Sequence, residues 1–178
     1  MLDAAERVIR RDGSDVSLEA IAAEAGVTKP IVYARVGGRA ELSNALAERL
    51  ADRFIAAAGV AIARRPFGRE MLASLVEATL ATVAEHRELF LYVTGGTSGD
   101  TPKRTLHLTE RSVMPLAEQL ARWRSSQGLD PEVAVAWAYG VVGMLHFVCM
   151  WWVHDADRSA ARLADHLAEL LWSGLADG

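Results

Sequence analysis

The chain has 178 residues, 51% of them hydrophobic, with a formal net charge of −4 and a mean hydropathy of +0.12. That is enough to bury a sizeable core in one domain or two small ones. The single Cys149 excludes an internal disulfide framework and suits a reducing, cytoplasmic compartment, while the acidic balance does not by itself point to nucleic acid.

Alanine, leucine, glutamate and arginine dominate, and β-branched residues form no alternating runs, so an all-α fold is predicted. Leu2, Ala5, Val8 and Ile9 share one face of a first helix ending near Asp12-Gly13. No secretory signal pattern precedes it, and export is not expected.

Residues 17–36, SLEAIAAEAGVTKPIVYARV, read as two short helices meeting at a sharp turn. Ser17 is an N-cap, and Leu18, Ile21, Ala22 and Ala25 recur at the spacing of one buried helical face. Gly26 supplies the turn and Val27 its core plug. Thr28 is the expected N-cap of the second helix, with Pro30 in its first turn, and Val32 faces inward. A small residue at the crossing, a turn glycine and an inward apolar residue are the requirements of a helix-turn-helix.

A long helix follows from Arg39 to about Arg65, striped by Leu42, Leu46, Leu50 and Phe54, and Pro66 ends it. Residues 67–86 form an amphipathic helix burying Met71, Leu72, Leu75, Leu80 and Val83. Glu85-His86-Arg87-Glu88 breaks it before LFLYV, and TGGTSGDTP (94–102) reads as a loop, with Thr101 as N-cap and Pro102 at the first helical position. No Gly-Lys-Ser/Thr follows those glycines, which argues against a phosphate-cradling loop. The helix from Lys103 to Gln127 contains Pro115, which is expected to kink or split it.

Gly128 stops that helix, and Asp130-Pro131 starts the next as N-cap and first residue. Residues 133–153 are apolar all round and long enough to span a bilayer. Acidic flanks, amphipathic neighbours and the lack of a second such segment favour a buried helix. Such a helix must be covered on all sides, and a second copy of the chain is the expected cover. The last helix, from Arg158 to Leu175, is expected to bury Leu163, Leu167, Leu170 and Leu171, with Trp172 at its end.

The stretches LDAAERVIRRDG, SLEAIAAEAGVTKPIVYARV and GGRAELSNAL resemble the DNA-binding domain of the tetracycline-repressor (TetR) family over residues 2–50. AGVTKPIVY is the most specific part, close to the family's A-G-V-[ST]-K-x-x-[LV]-Y. Arg35-Val36 departs from the usual His-Phe, and Gly38-Arg39 from the usual polar cap and Lys. The resemblance implies a helix-turn-helix DNA-binding domain over 1–45 and a helical ligand-binding and dimerisation domain over 46–178, about nine helices in all. By resemblance, Ser17, Thr28, Lys29, Pro30, Tyr33, Arg35 and Arg39 form the DNA-binding set. Thr28, Lys29 and Tyr33 would take phosphates or base edges, Arg39 a phosphate, and Arg35 a phosphate or guanine. Pro30, Ile31 and Ala34 would meet thymine methyls. Residues 1–50 carry seven Lys/Arg against eight Asp/Glu, a net of −1, yet residues 25–40 hold Lys29, Arg35 and Arg39 with no acid.

No cofactor, metal or catalytic group is expected in the body. His86, His107, His146, His154 and His166 are scattered without ligand spacing, and no nucleophile motif occurs. The resemblance implies an apolar effector pocket instead. Trp137, Met144 and Trp151 fall on one stripe beside Val141 and Val148, and this stripe is expected to line the pocket with Tyr92. His146 or Thr94 would be its polar handle; plain core packing explains the same spacing. The last two helices, residues 131–175, are implied to form the homodimer interface, where Ala136, Gly140 and Gly143 permit close approach.

The reading is a cytoplasmic, ligand-responsive transcriptional regulator, not an enzyme and not bound to membrane. It is expected to act as a repressor on a palindromic operator of double-stranded DNA, from which an apolar small molecule releases it. The alternative is a dimeric small-molecule-binding protein of the same fold without specific DNA binding.

Overall fold

The computed structural model describes residues 1–95, 101–154 and 159–176, with side chains over 1–95, 110–154 and 159–174. Among them are nine α-helices and no strand. They are α1 (Leu2–Asp12), α2 (Leu18–Glu24), α3 (Lys29–Val36), α4 (Arg39–Arg64), α5 (Arg69–Glu85), α6 (Arg87–Thr94), α7 (Thr101–Ser126), α8 (Ala134–Trp152) and α9 (Ala160–Ala176). The chain packs as two units, Met1–Asp52 with Glu85–Thr101, and Arg53–Ala84 with Pro102–Gly178.

In the first unit, α1 packs against both α2 and α6. Its core is Ala4, Ala5, Val8 and Ile9 of α1, Ile21 and Ala22 of α2, Val32 of α3, Leu42, Leu46 and Leu50 of α4, and Leu89, Phe90 and Tyr92 of α6. The predicted faces of the first four helices point inward, with Leu2, Leu18, Ala25 and Phe54 half-buried rather than buried. LFLYV, to which the sequence pattern assigns no element, forms most of α6 and docks on α1. His86 takes a non-helical conformation (φ −119°, ψ 34°) that separates α5 from α6, as the charged break suggested.

The start of α4 corrects one expectation. Gly38 stands where a polar cap is usual, but Glu41 folds back to accept a hydrogen bond from the Gly38 N–H at 2.8 Å. A carboxylate at the third helical position thus satisfies a free N–H and also meets the positive end of the helix dipole. Thr28 sits at the N-cap of α3 in extended conformation, but its hydroxyl makes no capping bond.

In the second unit, Met71, Leu72, Leu75, Leu80 and Val83 of α5 are buried with Val113, Leu116 and Leu120 of α7. α7 runs unbroken through Pro115, so the proline does not split it. The cost of one missing N–H is absorbed within the long helix. Gly128 (φ +73°) ends the segment, but α8 begins three residues after Pro131, because Asp130 accepts from the Glu132 N–H (2.8 Å) in a separate turn. Most of the 94–102 loop, residues 96–100, lies outside the described residues, as do the acidic flank 155–157 and Arg158.

One face of α8 is buried within the chain, as expected of a helix whose other side a second copy would cover, whereas α9 departs from the expected burial of its leucines. α8 buries Ala134, Ala138, Val141, Leu145, Cys149 and Trp152 and leaves Val135, Phe147, Met150 and Trp151 exposed. On α9 the buried residues are Ala164 and Ala168; Leu170 is 63% exposed, and Leu163, Leu167 and Leu171 are half-buried. Small residues sit where α9 packs closest, which pushes the leucines to the shoulders of that contact.

Candidate nucleic-acid interface and effector region

The turn between α2 and α3 is built from backbone first. Ser17 accepts from the Ala20 N–H at 3.1 Å, which fixes where α2 begins. At its end the Val27 N–H donates to the Ala22 carbonyl (3.0 Å) and the Gly26 N–H to the Ala23 carbonyl (3.1 Å), with Gly26 at φ +65°. This is a Schellman stop, and it requires the left-handed conformation that glycine adopts without penalty. Val32 is then the only buried residue of α3. Lys29, Pro30, Ile31, Tyr33, Ala34 and Arg35 all face outward, Tyr33 with 47% of its surface exposed. A short helix anchored by Val32, with Val36 half-buried, leaves most of its circumference open.

The three cations predicted on this stretch differ in availability. Lys29 is ion-paired with Glu19 at the start of α2 and lies 6.0 Å from the centre of the Tyr33 ring. That pairing lowers the Glu19 pKa and raises that of Lys29. Arg39 donates to the Val16 carbonyl (3.0 Å), approaches Asp15 (3.8 Å) and lies over the Tyr92 ring at 5.5 Å. Arg35 is exposed and has no ion-pair partner among the described residues. Sequence reasoning missed both the Glu19 pairing and the Tyr92 seat. They join residues 10 and 53 positions apart, and no local spacing signals either contact.

The residues expected to line an effector pocket are distributed over both units. Tyr92 belongs to the first unit, buried beneath Arg39, and burial raises its pKa. Thr94 donates its hydroxyl to the Phe90 carbonyl at 2.7 Å. The α8 stripe belongs to the second unit, with Val141 buried, Trp137 and Met144 half-buried, and Trp151 48% exposed. A heptad spacing drifts by about 20° per repeat on a straight helix, so two repeats carry Trp151 around toward the open face. His146, expected in core or pocket, is exposed beside Phe147 (rings 5.8 Å apart, edge-on), though enough protein surrounds it to lower its pKa by desolvation.

At the start of α8, Arg124 stacks on Trp137, its guanidinium carbon 4.4 Å from the ring centre. Phe67, Trp123 and Trp172 form an aromatic cluster with ring centres 5.1 to 6.4 Å apart. Cys149 is buried and its thiol is pushed up to about 12, which leaves it unreactive at neutral pH. Among the described residues no group of three His, Cys, Asp or Glu is placed to hold a metal ion.

Comparison with known proteins agrees with the helix-turn-helix. Residues 1–46 match the family described as bacterial regulatory proteins, tetR family, and residues 66–178 match the tetracyclin repressor-like C-terminal domain. An uncharacterised HTH-type transcriptional regulator of Mycobacterium tuberculosis is 27% identical over 176 residues, covering 98% of this chain and 75% of that protein. The fold is shared with the regulator FadR of Bacillus subtilis, solved with stearoyl-CoA (TM-score 0.77, 19% identity, 97% and 96% of the two chains). It is shared also with the repressor AlkX of a Dietzia strain, implicated in n-alkane biodegradation (TM-score 0.69, 18% identity, 99% and 93% of the two chains). With matches that together span the helix-turn-helix and the helical body, the chain belongs to the TetR family of transcriptional regulators.

Proposed function

We propose that the chain is a homodimeric repressor that grips a near-palindromic operator through α3 and is released by an apolar effector. The observation that carries this is α3 itself, with Val32 its one fully buried residue and Lys29, Tyr33 and Arg35 exposed on one short helix. Its N-terminal half enters the major groove. Thr28, Lys29, Tyr33 and Arg35 reach phosphates or base edges, while Pro30, Ile31 and Ala34 meet thymine methyls. Ser17 and Arg39 contribute at the backbone, Arg39 while resting on Tyr92.

Dimerisation uses the open apolar face of α8 and α9, where Val135, Phe147, Met150, Trp151 and Leu170 are exposed. A side chain added at Gly140 or Gly143 would meet nothing within 4 Å, so a second helix can approach closely there. A dimer places two α3 helices about one helical turn of DNA apart. The effector lies against Trp137, Val141 and Met144, and the acyl and alkane chemistry in the names of FadR and AlkX supports a long hydrocarbon chain. The chain works in the cytoplasm, with α8 covered by its copy rather than by lipid.

Selection of bound duplexes from a random pool tests this reading. An inverted repeat is expected, recovered more weakly by Lys29→Ala and Tyr33→Ala. Recovery of no preferred sequence by a folded dimer at low salt would transfer the assignment to a ligand-binding protein without specific DNA recognition.

A further inference from the structure

Arg124, near the end of α7, is a buried charge with no acid to balance it among the described residues. Only 4% of the residue is exposed. Its Nε donates to the Asp130 carbonyl at 2.6 Å and its plane stacks on Trp137, but Nη1 is buried with no hydrogen-bond partner. The nearby Asp130 carboxylate is engaged by the Glu132 N–H, and among the described residues no carboxylate pairs with Arg124. One carbonyl, one ring and the negative end of α7 meet only part of what five N–H groups and a full charge require. An unbalanced buried guanidinium is costly and matches planar anions in both charge and geometry.

Its position adds the rest. Trp137, on which Arg124 lies, is the first residue of the α8 stripe that continues through Val141 to Met144. An apolar wall ending in a buried cation has the polarity of an amphiphile. We infer that Arg124 binds the anionic head, carboxylate or phosphate, of the effector whose hydrocarbon chain lies along α8. This rests on the proposed function's placing of the effector against that stripe.

Calorimetric titration of the full chain with dodecanoate, dodecyl phosphate and dodecanol tests the assignment. One or both anions should bind about tenfold or more tighter than the alcohol, the scale of a charge-assisted bidentate contact, and their order tells carboxylate from phosphate. Arg124→Met should abolish the preference for the anions over dodecanol, and Arg124→Lys should restore part of it. Equal binding of acid and alcohol by the unaltered chain, a comparison that needs no variant to fold, would overturn the headgroup assignment alone. Survival of the preference in Arg124→Met would do the same. Binding of none of the three would overturn both this assignment and the apolar-effector reading.

Discussion

On the proposed mode of binding, Glu19 should temper the affinity of the reading head from outside α3. It faces Lys29, so a phosphate that takes Lys29 either displaces the carboxylate or sits beside it. In both cases the acid would oppose DNA on that mode of binding. Glu19→Gln is expected to tighten binding to duplex DNA, measured by fluorescence anisotropy at fixed salt, and unchanged or weaker binding would contradict that role. Arg35, without such a partner, should behave in the opposite sense: Arg35→Ala should cost about 1–3 kcal/mol if it reads a guanine, with specificity relaxed at one position of the site. The cap at Ser17 could be read directly, because a hydroxyl three residues before a helical N–H is a local pattern. The Glu19–Lys29 pair and the Arg39–Tyr92 stack could not, since each depends on how separate helices cross.

At the scale of elements, hydrophobic spacing located the helices other than α6, whose LFLYV it does not assign, and was less informative about their ends and open faces. Gly26 marks the turn whose legibility made the helix-turn-helix evident. A Cβ there would touch nothing within 4 Å, so Gly26→Ala isolates the backbone cost of φ +65°. It should destabilise the chain by about 1–2 kcal/mol, seen as a lower urea midpoint at unchanged slope. An unchanged midpoint would mean the turn does not need its left-handed residue. Pro115 and Pro131 show the limit of reading prolines as boundaries: the first lies inside a continuous helix and the second opens a turn three residues before α8. Leu170 shows the limit of reading leucines as core, because Ala164 and Ala168 hold the inner face of α9.

For the whole molecule, α8 is long and apolar enough to cross a membrane, yet only 28% of its apolar window is buried within the chain. That imbalance was foreseeable from an apolar helix with no polar face; which side stays open was not, as the heptad drift from Trp137 to Trp151 illustrates. Phe147, 71% exposed, stands at the centre of the open side. Phe147→Glu is expected to convert a dimer into a monomer at micromolar concentration in sedimentation velocity, with the helical content retained. A dimer that persists in this variant would place the interface elsewhere.

Whether two α3 helices of a dimer hold DNA through exposed basic and polar side chains is decided by a salt series. Affinity for the selected inverted repeat would be measured for the unaltered chain, Lys29→Ala and Phe147→Glu. Log affinity should fall linearly and steeply with log salt, and Lys29→Ala should reduce the slope by about 1 for each phosphate that the lysine no longer neutralises. Phe147→Glu should lose the preference for the full repeat over a half-site. Affinity insensitive to salt, or equal in all three proteins, would rule out this mode of binding.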